Sequence, residues 1–238
     1  MMLKEFVEKI VALGAPNQVQ AHGLVYTDKP IAVVAKPTVS PVSLATLTGL
    51  CDLIAVRLDA LDREQWLLHI VSPVEVSLIA RQTDEYGRRS ALATARLEDV
   101  QPFPFGRFLD REEFVIGLQA RFVETPDRAG VLSHASSLTA CTVAQAEDNG
   151  IAQSVTVRRG VTLKENVTVK GRVDLAPYRT FREVDQPISE FVFRLRTRDG
   201  GVPECALFEA DGGKWRMDAM ETIRGWLVEK ELGIPVVA

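Results

Sequence analysis

The C-terminal third of the chain constrains the fold most, because short segments of alternating polar and apolar residues run there into a single amphipathic helix. The alternation predicts strands at about residues 154–158, 167–173, 191–195 and 205–208. Asp199-Gly-Gly201 predicts a hairpin turn between the last two. The helix, at about residues 215–230, gathers its apolar side chains on one face: Trp215, Ala219, Ile223, Trp226 and Leu227. Such a segment is typical of antiparallel sheets with a flanking helix.

The N-terminus has the pattern of an amphipathic helix rather than of a targeting signal. Apolar residues recur at the spacing of one helix face: Leu3, Phe6, Val7, Ile10 and Val11. Charged residues fill the other face, and Gly14 and Pro16 end the helix. A signal peptide needs a continuous apolar core, and no stretch approaches the roughly 20 apolar residues of a membrane span. We therefore expect a cytoplasmic protein with no membrane partner.

The rest of the first hundred residues predicts a second helix and several strands. Ser40 followed by Pro41 is predicted to start a helix that runs to about residue 61, since a hydroxyl caps the first turn and proline needs no amide partner there. Alternation and turn residues predict strands at about residues 23–27, 31–35, 66–71, 74–80 and 88–97. These elements indicate a helix–sheet region.

Residues 101–106 form the best internal boundary, because two prolines and a glycine exclude regular structure there. Beyond them, Asp110 with Glu113 forms a capping box for one helix, and Pro126 starts another. We predict an α+β fold with mostly antiparallel sheets, flanking helices and a C-terminal amphipathic helix. Its two parts would be residues 1–100 and 107–238, and one continuous domain is the alternative.

The composition and the scattered ligand-type residues argue against a catalytic or metal-binding protein. A net charge of −4 gives no overall attraction to nucleic acid or to anionic membranes. The histidines and cysteines lie too far apart for a zinc pattern: His22, His69, His134, Cys51, Cys141 and Cys205. Ser133-His134 lacks a nucleophile elbow. We predict reduced buried thiols, no catalytic residues, no metal ligands and no cofactor.

Two Asp-Gly-Gly triplets invite comparison with phosphate-binding loops. Neither matches a P-loop or a dinucleotide-binding fingerprint. The second triplet stands before the terminal helix, so Gly212, Gly213 and Lys214 could hold an anion weakly at a helix N-terminus. On this basis a nucleotide-like small molecule is the third functional hypothesis, as a ligand or as a substrate.

The strongest charge feature is regional. Residues 151–198 hold ten Lys or Arg against five Asp or Glu, whereas residues 199–238 hold four against eight. The basic residues on neighbouring predicted strands are Arg158, Arg159, Lys164, Lys170 and Arg172. They could bind nucleic acid, with Tyr178 and Phe181 as stacking surfaces, or meet the acidic C-terminal segment of the same or another chain.

Five blocks of the C-terminal half carry a family resemblance: Asp110-Arg-Glu-Glu-Phe114, Ala135-Ser-Ser137, Leu175-Ala-Pro-Tyr-Arg-Thr-Phe181, Gln186-Pro-Ile-Ser-Glu-Phe191 and Ala206-Leu-Phe-Glu-Ala-Asp211. Together they resemble the YfdQ-type proteins of phages and prophages over about residues 108–238. The resemblance implies a phage or prophage gene whose product lies in the cytoplasm of the bacterial host. That family has no established catalytic residues, so none are transferred to this chain.

These observations lead to a ranked set of functions. The first is a non-enzymatic phage or prophage protein that acts by homo-oligomeric self-assembly, with Phe191, Phe193, Trp215 and Trp226 as interface candidates. Exposed sheet edges and segregated charge favour this hypothesis, since both offer contacts between copies. The alternative is a nucleic-acid-binding accessory protein of phage replication or recombination.

Overall fold

The structure is a computed structural model of the 238-residue chain. It describes residues 2–15, 18–21, 24–27, 39–57, 61–84, 87–98, 101–137, 142–148, 152–159, 162–197 and 203–238. The chain divides into two compact units, Met1–Thr38 and Val39–Ala238.

The N-terminal unit contains a helix and a hairpin. Helix α1 (Met2–Gly14) confirms the helix predicted from the apolar spacing. Strands β1 (Gln18–Ala21) and β2 (Leu24–Thr27) pair antiparallel. The strand predicted at 23–27 corresponds to β2, β1 was not predicted, and the strand predicted at 31–35 lies outside the described residues.

In the larger unit the first described elements are β3 (Val42–Leu44), α2 (Leu47–Ala55), a short 3-10 helix (Arg63–Gln65), β4 (Trp66–Ser72), β5 (Glu75–Ala80) and β6 (Ala91–Arg96). They are followed by β7 (Leu109–Asp110), α3 (Arg111–Arg121), α4 (Pro126–Ser137), β8 (Thr142–Asp148), β9 (Ala152–Arg159) and β10 (Thr162–Lys170). The last are β11 (Arg172–Leu175), β12 (Ser189–Thr197), β13 (Pro203–Glu209), α5 (Trp215–Glu229) and β14 (Val236–Val237).

A five-stranded sheet has the order β14-β4-β5-β6-β3. Its three central strands are antiparallel, whereas β14 and β3 lie parallel to their neighbours at the two edges. Apolar side chains of α2 and α5 share one buried cluster with this sheet, including Leu50, Ile54, Leu68, Ile223 and Leu227. The C-terminal end of the chain therefore completes a sheet that begins before residue 100.

The helix predicted to start at Ser40 begins later. Thr46 caps α2, because its hydroxyl accepts a hydrogen bond from the amide of Gly49 (3.0 Å). The residues just before it form β3, which pairs with β6. The prediction of one long helix is therefore wrong at both ends, since α2 stops at Ala55.

A four-stranded antiparallel sheet has the order β11-β12-β13-β7. Helices α3 and α4 cover it, and Phe114, Leu118 and Val131 are buried with the sheet residues Phe191 and Phe193. The predicted capping box is confirmed in its first half, because the carboxylate of Asp110 accepts a hydrogen bond from the amide of Glu113 (2.8 Å).

A three-stranded antiparallel sheet, β10-β9-β8, completes the described strands. The predicted α+β class with its C-terminal helix is confirmed. Among the described residues, every helix is too short or too polar to cross a lipid bilayer.

Candidate functional site

The apolar face of α1 is exposed. Six of its large apolar side chains are between 52% and 80% exposed: Leu3, Phe6, Val7, Ile10, Val11 and Leu13. The opposite face carries two lysines and two glutamates, and Lys4 lies 3.9 Å from Glu8 as an exposed ion pair. Both faces of this helix are thus in contact with solvent, although one of them has the composition of a protein interior.

The N-terminal unit buries none of its described side chains. Among the residues whose side chains the structure describes, every buried apolar residue lies at Leu47 or beyond. In the hairpin, the described side chain of Val19 is 62% exposed. The three cysteines of the sequence all lie after residue 50, so no disulfide can form within this unit. The described side chains of the N-terminal unit thus form an apolar surface and none of them is buried.

In the larger unit, residues 176–188 between β11 and β12 form a linking loop. The hydroxyl of Thr180 donates a hydrogen bond to the carbonyl of Pro73, in the turn between β4 and β5. The carboxylate of Glu183 accepts one from the amide of Thr48 at the start of α2 (3.2 Å). The side chain of Gln186 accepts hydrogen bonds from the amides of Arg179 (2.9 Å) and Thr180 (3.1 Å). This loop connects the five-stranded sheet to the four-stranded one.

Arg179 is the most buried charged group of the linking loop, at 9% exposure. Its guanidinium donates hydrogen bonds to the carboxylate of Glu209 (2.7 Å) and to the hydroxyl of Ser189, and its central carbon lies 4.0 Å from the centre of the Trp215 ring. Burial lowers the pKa of Arg179, and the charges of Glu209 and Asp211 partly offset this effect. Arg179 therefore ties β12, β13 and α5 together.

No local signal in the sequence indicates this role for Arg179. Ser189 and Glu209 are ten and 30 residues further along the chain, and no local pattern pairs residues at such distances. Within the described residues, Nε of Arg179 and Nε1 of Trp215 are buried without a hydrogen-bond partner.

The predicted anion site at Gly212, Gly213 and Lys214 is already occupied by a carboxylate of the chain. Asp211 accepts hydrogen bonds from the amides of Gly213 (2.9 Å) and Trp215 (3.2 Å), while Lys214 lies 3.3 Å from Asp218. Burial raises the pKa of Asp211, but hydrogen bonds from Gly213, Ser189 and Trp215 and the charge of Arg179 outweigh it, so the net direction is downward.

The glycine pair has a structural explanation as well. Gly212 and Gly213 have φ values of +64° and +84°, the left-handed region that glycine adopts without strain. The Asp-Gly-Gly triplet is thus a turn whose aspartate accepts a hydrogen bond from the first amide of α5, and an anion at this site, which stays a prediction, would compete with that carboxylate.

The predicted basic face is divided between two sheets. Arg158, Arg159, Lys164 and Lys170 belong to β9 and β10, whereas Arg172 belongs to β11 in the four-stranded sheet. Lys170 pairs with Asp127 (2.6 Å) and Arg172 with Glu190 (2.7 Å). The side chains of Arg158, Arg159 and Lys164 lie outside the described residues, so nucleic-acid binding by these strands stays a prediction.

The interface candidates need a correction. Phe191 and Phe193 are fully buried inside the four-stranded-sheet core, where Phe193 stacks on Phe114 (5.7 Å between ring centres), so a second copy cannot reach them. Trp215 is half-buried beneath Arg179, and Trp226 is half-buried beneath Lys230 (4.3 Å). These aromatic residues stabilise the fold of one chain.

The described residues bring no catalytic constellation together. They contain no group of three or more His, Cys, Asp or Glu side chains placed to hold a metal ion. Burial raises the pKa of the Cys205 thiol to about 12, so this thiol is not a nucleophile at neutral pH. Burial also raises the pKa of the half-buried Cys51 thiol, although the charge of Lys230 lowers it in part.

Two surface pockets of the larger unit could hold a small ligand. One, of about 390 Å³, runs along α3 and is lined by Phe103, Leu109, Ile116, Glu112 and Glu113 among others. The other, of about 600 Å³, is lined by Glu64, Gln65, Trp66, Ala80, Arg81 and Gln82. Among their described lining residues neither has Ser, Thr, Cys or His, so neither offers a nucleophile or an imidazole base.

Comparison with known proteins adds no assignment: no known protein family, curated protein or solved structure matches the chain. The resemblance to YfdQ-type proteins therefore stays a prediction. The exposed face of α1 is the candidate functional site.

Proposed function

We propose that this chain is a non-enzymatic protein that acts by homo-oligomeric self-assembly, and that α1 supplies the contact between copies. The observation that carries the proposal is the exposed apolar face of α1 in a unit that buries none of its described side chains. Contiguous apolar surface of this kind marks an interaction site on a folded protein.

The energetics of small folded units support this reading. A 13-residue helix is marginal in water on its own, and so is a two-stranded hairpin. Units below about 40 residues usually need a disulfide, a metal or association with another chain. The N-terminal unit has no cysteine and a single histidine, which supports association as the means of its stabilisation.

The apolar face offers a driving force of the same order as the cost of association. Fully burying one large aliphatic or aromatic side chain stabilises by about 1.5–3 kcal/mol. Association costs about 4–15 kcal/mol, so most of the six side chains of each α1 must be buried together for a stable contact.

A second copy is the occupant that this surface favours. The polar face of α1 carries two lysines and two glutamates, so it has no net charge to attract an anionic membrane. It equally has no charge that would repel another copy. If the resemblance to YfdQ-type proteins is correct, the assembly belongs to a phage or prophage protein in the bacterial cytoplasm.

The test measures the mass of the full-length protein by light scattering behind size exclusion, at micromolar concentration and at low and high salt. We expect a multiple of the 26.3 kDa chain mass that persists at high salt, because apolar contacts are not screened. The variant F6S/I10S should shift to a lower mass at the same concentration.

The matched control is I116S/I188S, which replaces two exposed apolar residues of the larger unit. It should keep the wild-type mass. A clean monomer for the wild-type protein would remove self-assembly as the function, and nucleic-acid binding would then lead. Equal dissociation of the control variant would show that α1 is not the contact.

A further inference from the structure

We infer that the contact is a parallel bundle of three or more α1 helices, one from each copy; this inference rests on the proposed function and specifies its partner surface. The alternatives for the same face are a two-helix seam and an antiparallel pair. The width of the apolar face favours a bundle over a pair, and cyclic symmetry favours the parallel order.

The apolar face of α1 is wider than a two-helix seam. Successive residues of an α-helix are turned by about 100°, which places the apolar residues over roughly half of the circumference. Leu3, Phe6, Ile10 and Leu13 have the 3-4-3 spacing of a coiled-coil seam. Val7 and Val11 lie to one side of it, so a second helix packed on the seam would leave these two valines exposed.

The small contact area of a single helix pair also favours a bundle. A 13-residue helix is about 20 Å long at a rise of about 1.5 Å per residue. Stable protein interfaces engage about 20–30 residues on each side, and a pair of such short helices offers far fewer. In a bundle each helix contacts two neighbours, so both flanks of the apolar face are covered.

Cyclic symmetry favours parallel helices, because equivalent copies in a closed ring all point the same way, and the charge order is compatible with this arrangement. One flank of the apolar face is bordered by Lys4 and Glu8, and the other by Glu5 and Lys9. When unlike flanks meet in parallel register, Lys4 is level with Glu5 of the next helix and Glu8 is level with its Lys9. Every neighbour contact in a closed ring then repeats these two opposite-charge pairs.

The first experiment separates the bundle from a two-helix seam by the native mass of the full-length protein and of V7E/V11E. Wild-type protein should have a mass of at least three chains. The variant keeps the seam residues but places charge on the outer flank, so its mass should fall to that of a dimer or a monomer. The control A12E adds one negative charge on the polar face, against two in the variant, and should leave the mass unchanged.

The second experiment determines the orientation. M2C should form an intermolecular disulfide on mild oxidation, above the background of the wild-type cysteines, because parallel helices bring their N-terminal ends together. A wild-type dimer, or an unchanged mass for V7E/V11E, would overturn the bundle and leave the proposed function in place. Cross-linking only between M2C and G14C chains would overturn the parallel order. A wild-type monomer would overturn both proposals.

Discussion

The two units of the chain use their apolar residues in opposite ways. The larger unit encloses them, as shown by Phe114 and Phe193, which are fully buried and stacked on each other. The N-terminal unit exposes them, with Leu3 at 80% and Phe6 at 63% exposure. The same residue types therefore stabilise the fold of one chain in the larger unit, and in the N-terminal unit they are available for contacts between chains.

The linking loop joins the five-stranded and the four-stranded sheets of the larger unit. The loop hydrogen-bonds to the turn after β4 and to the start of α2, and its Arg179 reaches β12, β13 and α5. Because these groups come from both sheets, loss of either sheet would expose polar groups of the loop. We expect the two sheets to unfold together.

The largest expected effect compares two phenylalanines. Phe191→Ala should lower the free energy of unfolding by about 3–5 kcal/mol, since it removes a fully buried ring that stacks on Phe105 (5.0 Å between ring centres). Phe6→Ala should change the unfolding of the monomer by less than about 0.5 kcal/mol and should weaken association instead. Guanidinium unfolding measures both changes at protein concentrations too low for the copies to associate. Similar losses of stability for the two variants would show that Phe6 is as important for the monomer fold as Phe191.

An intermediate effect tests the linking loop. Arg179→Met should cost about 2–3 kcal/mol, because it removes hydrogen bonds to Glu209 and Ser189 and leaves the ring of Trp215 uncovered. Arg182→Met is the matched control: this exposed arginine lies 4.2 Å from the ring of Tyr178 and should contribute less than about 1 kcal/mol. Urea unfolding gives both values, and equal costs would show that Arg179 does not tie β12 and β13 to α5.

The smallest effect concerns pH. The pKa of Asp211 is lower in the folded chain than in the unfolded chain, so its ionised form stabilises the fold above the unfolded pKa. This contribution is lost as the pH falls through the lower, folded pKa. Asp211→Ala should cost about 0.5–2 kcal/mol at pH 7 and should flatten the fall in stability below about pH 4.

Glu221→Ala serves as the control for that measurement, because Glu221 lies on the exposed side of α5 and only borders Arg224 (3.4 Å). Its stability should follow the wild-type pH curve. A pH curve for Asp211→Ala that is as steep as that of the wild-type protein would show that Asp211 is not the group that titrates.

Local chemistry made several elements predictable from the sequence. The spacing of apolar residues defined α1 and α5, and the capping box at Asp110 defined the start of α3, because both signals lie within a few residues of the element that they specify. Alternation defined β4 and β5 in the same way. The α+β class followed from the order of these elements.

Local sequence signals were misleading where contacts made elsewhere in the fold competed with them. Ser40-Pro41 has the chemistry of a helix start, yet the following residues form β3 because they pair with β6, about 50 residues away in sequence. The Asp-Gly-Gly triplet before α5 resembled an anion site because the sequence shows free helix amides but does not show that Asp211 folds back onto them.

The sequence alone determined that α1 has an apolar face, because a period of 3.6 residues is a property of the local chain. Only the tertiary structure decided that this face is exposed while Phe191, Phe193 and Leu195 of β12 are buried, since burial depends on what other segments cover. The same holds for the parallel pairing of Val236 with Leu68 and for the contacts of Arg179. Both join residues that are far apart in sequence, and only the folded chain brings such residues together.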